Sequence, residues 1–191
     1  MVIPAGAILA IAVLAGVARE QAGLWRNSET LLRHTLAVAG ESSLVRTNLG
    51  GALMELERWD DALREYDIAL RADPNDMVAW FNAGIAFAKL QRWDQAEAAF
   101  RKVVGANPSD RKALYNLGVA LANQRRWAEA MEAHRAIVAA DPRDHEARFN
   151  LGMIAVTLGD RTTAEEQRAA LESISREDAA NLRAFMAGRG W

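Results

Sequence analysis

Asn48, Asn82, Asn116 and Asn150 stand at a constant step of 34 residues. A side-chain amide both donates and accepts hydrogen bonds, so a regular row of them can pair with the backbone of a bound polypeptide whatever its sequence. The residues just before them are Thr47, Phe81, Tyr115 and Phe149, and one helical turn further come Ile85, Val119 and Met153. An aromatic and apolar floor beside a row of amides suits an extended or helical peptide with modest side-chain selectivity. The candidate peptide-binding set is therefore Asn48, Asn82, Asn116, Asn150, Phe81, Tyr115, Phe149, Ile85, Val119 and Met153.

Other residue types offer less chemistry. The chain has no cysteine, which removes thiol catalysis, disulfides and Cys-ligated metals. His34, His134 and His145 are too few and too scattered for an evident metal site. Asp60-Asp61 lacks an acid–base partner nearby in its repeat, and carboxylates there suit the start of a helix. No phosphate-binding glycine loop, serine elbow or zinc-protease motif occurs. Neither a catalytic residue nor a cofactor is expected, and the chain reads as a non-enzyme. With 23 basic and 25 acidic side chains it lacks the basic excess of a nucleic-acid binder.

The elements that would position the asparagines are written in the same period. Trp25, Trp59, Trp93 and Trp127 keep the 34-residue step, as do Gly50, Gly84, Gly118 and Gly152, Ala62, Ala96, Ala130 and Ala164, and Pro74, Pro108 and Pro142. Apolar positions within 114–121 recur at helical spacing. The tryptophans open second helices, where they are expected to be buried between hairpins. Asp141-Pro142 is expected to end a helix, because proline lacks the amide donor and restricts the residue before it. His134 occupies the place of Tyr66 and Phe100 and reads as a packed histidine.

A 34-residue period of these residue types resembles the tetratricopeptide repeat, a pair of antiparallel helices per unit. The resemblance implies an all-α, right-handed superhelical solenoid whose first helices line a concave face, which would place the asparagine row in the groove. That row is similar to the one in the superhelix of O-linked N-acetylglucosamine transferases, which grips extended polypeptide. The carboxylate clamp of chaperone-binding members is matched only by Lys112 and Asn82. The expected organisation is four repeats at 43–76, 77–110, 111–144 and 145–178, a half repeat at 23–42, and a C-terminal capping helix and tail at 176–191.

Residues 1–22 are treated as an apolar helix. Val2 to Ala18 carries no charge, which is 17 residues and about 26 Å of helix, near the short end of a membrane span. A single-pass membrane anchor is the leading expectation; a signal peptide and a packed soluble helix filling the first-helix slot at 9–22 are the alternatives. Arg19, Arg26 and Arg33 follow the run and none precedes it, which favours a cytoplasmic array. Residues 25–34 resemble the join between the last membrane helix and the repeats in glycosyltransferases of the protein O-mannosyltransferase type, which would place the array outside. The combined expectation is a membrane-associated scaffold for protein or peptide partners, with no nucleic acid. The alternative is the C-terminal repeat tail of a multi-span glycosyltransferase whose catalytic part is absent.

Overall fold

A computed structural model describes residues 28–191. The apolar run 1–22, its expected membrane helix and Trp25 lie outside the described residues. Helix α1 covers 28–39 of them. It is followed by α2 (Ser43–Glu55), α3 (Trp59–Ala72), α4 (Met77–Lys89), α5 (Trp93–Ala106), α6 (Arg111–Asn123), α7 (Trp127–Ala140), α8 (His145–Leu158), α9 (Arg161–Glu172) and α10 (Arg176–Gly188). The protein is all-α, a solenoid of tandem helical hairpins, with no strand among the described residues. It divides into two compact units, the first ending at Ala79 and the second running Trp80–Trp191.

The start of each first helix is fixed by a carboxylate or hydroxyl cap. Ser42, Asp76, Asp110 and Asp144 accept from the backbone N–H three residues on, which satisfies one of the orphan donors of the first turn. These caps stand 34 residues apart. The second helices α3, α5 and α7 begin at the tryptophans and end at Asp73, Asn107 and Asp141, whose extended backbones lead into the prolines. The turn between the two helices contains Glu57, Gln91 and Arg125 at φ 56°, 57° and 61°, and Gly159 at φ 80° in the last repeat. A left-handed residue here closes the first helix.

In the first unit, Gly50 of α2 lies against the fully buried ring of Tyr66 on α3. A Cβ at Gly50 would stand 2.5 Å from the ring. Leu49, Leu53, Ala62 and Ala69 complete this core. Arg46 donates to Glu65 at 2.6 Å, and the Thr47 hydroxyl donates to the capping Asp76 at 2.7 Å. Arg58 and Glu29 pair at 3.0 Å, tying α1 to the turn before α3.

The second unit repeats the device. Gly84 meets Phe100, and Gly118 meets His134, with would-be Cβ distances of 2.6 Å to each ring. In the last repeat Arg168 takes the aromatic's register place, and Gly152 meets Leu182 of α10 instead. The capping helix thus fills a hole that a second-helix aromatic fills elsewhere. Phe100, Leu117, Leu121, Leu151, Ile154 and Leu182 belong to one continuous core cluster.

One expectation is corrected. Trp59, Trp93 and Trp127 are half-buried, and the aromatic ladder that is fully enclosed or nearly so is Tyr66, Phe100 and His134. The tryptophans start their helices, where the indole is covered on one side only. The glycines open their space two turns further along, at Tyr66, Phe100 and His134. The cap of α9 is Asp160. It accepts from the Thr163 N–H and hydroxyl and starts the helix at Arg161.

Candidate peptide-binding site

The site is built on the first helices of the second unit. Glycines let α4, α6 and α8 approach the helices they pack on, and the helical repeat then carries residues i, i+3 and i+7 along one face. On α6 that face holds Asn116, Val119 and Asn123; on α8 it holds Asn150, Met153 and Thr157. Between α6, α8 and α10 lies a pocket of about 350 Å³. Its apolar wall comes from Val119, Ala122, Met153, Ile154 and Phe185, with Trp127 at the start of α7. Its polar groups are Asn123, Asn150, Thr157 and His134.

Three of the expected contact residues, Val119, Asn150 and Met153, therefore meet in one cavity. The others do not line it. Phe81 is half-buried and packs edge-on against Phe100 at 5.9 Å between centroids. Tyr115 does the same against His134 at 5.6 Å, and the Arg111 guanidinium lies 5.5 Å from its ring centre. Phe149 and Ile85 are half-buried against the core cluster. Asn82 and Asn116 are half-buried on α4 and α6. Asn48 is exposed on α2 in the first unit.

The asparagine amides have little internal employment. Asn116 Nδ2 donates to the Lys112 carbonyl of its own helix at 2.8 Å. The side chains of Asn48, Asn82 and Asn150 make no hydrogen bond to the described residues, so none of the row ties neighbouring helices together. Asn123 Nδ2 donates to Val119 O and the Thr157 hydroxyl donates to Met153 O, each at 2.9 Å. Both keep an oxygen free to accept.

Asn123, Thr157, Trp127 and Phe185 were not among the residues expected to make contact. Asn123 and Thr157 had a signal: each follows its asparagine by seven residues, two turns along the same face, and they are themselves 34 apart. Phe185 had none, because α10 departs from the repeat period.

His134 sits beneath this wall at 1% exposure, and its Nδ1 has no hydrogen-bond partner among the described residues. Burial pushes its pKa down to about 4, with Asp144 opposing and Arg111 adding to the shift. It is therefore neutral at pH 7. Arg111 binds Asp144 through Nε at 2.6 Å and holds that carboxyl below the usual carboxylate range, against the cost of burial. Asp144 thereby caps α8 and ties it to α6. No cluster of metal-ligating side chains occurs among the described residues.

Solved structures of other proteins share the fold. MamA 41-end from Desulfovibrio magneticus RS-1 is 23% identical, with 87% of this chain and 95% of that chain covered at a TM-score of 0.76. A MamA RS-1 double mutant gives 23%, 87%, 94% and 0.77. YrrB, described as a TPR protein with an unusual peptide-binding site, gives 23%, 83%, 84% and 0.70. No curated protein matches the chain, and the glycosyltransferase resemblance of residues 25–34 gains no support. The tetratricopeptide repeat family matches residues 13–77, 47–109 and 81–145. Those overlapping matches run through most of the sequence and coincide with the helical hairpins, so the chain belongs to the tetratricopeptide repeat family.

Proposed function

We propose that the protein is a non-catalytic interaction scaffold that binds peptide segments of other proteins along the first helices of its repeats. The observation that carries this reading is the Asn150 amide, which stands at an apolar pocket and makes no side-chain hydrogen bond to the described residues. Asn82 repeats its register in the same unit and likewise makes no side-chain hydrogen bond to the described residues. A row of idle amides serves backbone recognition, in which an extended segment offers N–H and C=O groups at regular intervals. YrrB, a structural neighbour described by its peptide-binding site, supports the same reading. The test places a photo-crosslinking residue at Met153 in the full chain and maps the products. Crosslinked peptides from a partner protein are expected. A residue at the exposed Arg135 on α7 serves as the control, and equal capture there would remove the preference for the first helices.

The N-terminal run bears on where the scaffold works. Its uncharged length supports a membrane anchor, and among the described residues no helix is long and apolar enough to cross a membrane. Two observations favour the packed-helix alternative. The family match starts at residue 13, inside the run. Gly16 stands 34 residues before Gly50 and extends the glycine ladder by one period. We infer from this register that residues 9–22, which lie outside the described residues, belong to a further repeat.

A further inference from the structure

We propose that the pocket walled by α6, α8 and α10 seats a single leucine-, methionine- or phenylalanine-sized side chain from an uncharged stretch of the bound peptide. Asn150 and Asn123 hold the backbone on either side of it. The inference rests on the peptide-binding reading and names the part of the peptide that is recognised.

The volume, about 350 Å³, accommodates one large side chain with its flanking backbone. Its wall is aliphatic and aromatic, and Met153 can reshape to fit side chains of different branching. None of the lining residues is a lysine, arginine, aspartate or glutamate. An occupant with a carboxylate, a phosphate or an ammonium would be desolvated there without a counter-charge, which is costly. The polar groups are matched to a peptide. Asn150 offers donors and an acceptor, Asn123 keeps one N–H and its oxygen, and Thr157, whose proton goes to its own helix, offers only oxygen. Donors and acceptors side by side suit the alternating C=O and N–H groups of a backbone. Phe185 belongs to the capping helix and not to the repeat period, so this wall is specific to the last repeat.

The test pans random displayed dodecapeptides against the full chain. A recovered peptide is then synthesised and its affinity measured for wild type, Val119→Asp, Met153→Gln and Asn150→Ala. Circular dichroism melts check that each variant is folded, and Met153→Gln stands in where Val119→Asp is not. Recovered sequences are expected to share one apolar position with uncharged neighbours. Val119→Asp is expected to weaken binding by about ten- to a hundred-fold, the worth of one buried large side chain. Peptides that lose affinity on Asn150→Ala, show no fixed apolar position and tolerate Val119→Asp would overturn the pocket assignment and leave the groove reading standing. Peptides indifferent to all three variants would overturn both. Recovery of no peptide, with indole alone shifting the Met153 methyl resonance, would make the pocket a small-molecule site and end this proposal.

Discussion

At the scale of the residue, the glycine ladder and the aromatic ladder are two halves of one device. Each glycine leaves space for the ring of the second helix, and a methyl group there has nowhere to go. Gly84→Ala would bring Cβ to 2.6 Å from the Phe100 ring. Alanine improves helix propensity by about 1 kcal/mol, but overpacking costs about 1–3 kcal/mol. The variant is expected to be destabilised in urea titration, whereas Gly105→Ala, at an exposed helical glycine with open space around it, is expected to be neutral or better. His134 gives the second prediction. Its pKa falls from 6.5 in the unfolded chain to about 4 in the fold. Folding therefore excludes a proton, and the stability it confers is complete above about pH 6.5 and lost as pH falls toward 4. The span corresponds to up to about 3 kcal/mol. His134→Phe restores the side chain that Phe100 places against Gly84 and removes the unpartnered Nδ1. The variant is expected to lose less melting temperature between pH 7 and pH 4.5 than wild type. Equal losses would show that other groups carry the acid sensitivity.

At the scale of the element, the four ladders of tryptophan, glycine, alanine and proline made the helical hairpins legible, because each ladder marks a place where only certain side chains fit. They did not reveal what the tryptophans do, since periodicity marks a constrained position without telling an enclosed ring from a half-covered one. The turn geometry was also hidden. Glu57, Gln91 and Arg125 hold left-handed backbone without being glycine, so their sequence carries no hint of it, and only Gly159 does. A non-glycine residue there costs about 1–2 kcal/mol in backbone strain, part of which glycine returns through its greater freedom in the unfolded chain. Gln91→Gly is therefore expected to stabilise the protein by about 0.5–1 kcal/mol at an unchanged urea m-value. The candidate site was half legible for a related reason. Val119, Asn150 and Met153 follow the period, and Phe185 stands outside it.

At the scale of the whole molecule, an array of repeats is coupled through neighbours and has little redundancy at its ends. The C-terminal end is closed by α10, through Leu182 against Gly152. At the other end, Leu31 on α1 is 64% exposed. Its register equivalents Glu65, Ala99, Ala133 and Gln167 are each 7% exposed or less. In the repeat that contains Glu65, that place faces Arg46 of the preceding first helix, and Gln167 faces Arg148 in the same way. Leu31 thus occupies a place that a preceding first helix covers in the described repeats, and residues 9–22 are the sequence in the corresponding register. Leu31→Asp would then place a carboxylate in an apolar contact and is expected to lower stability by about 1–3 kcal/mol. For a leucine at a free surface the same change stays within about 0.5 kcal/mol. The membrane readout runs beside it. On the further-repeat reading the full chain is expected to be released from membranes by alkaline carbonate. Retention in the carbonate pellet, together with a melting curve that Leu31→Asp does not move, would instead establish residues 1–22 as an anchor and leave the array to begin at α1.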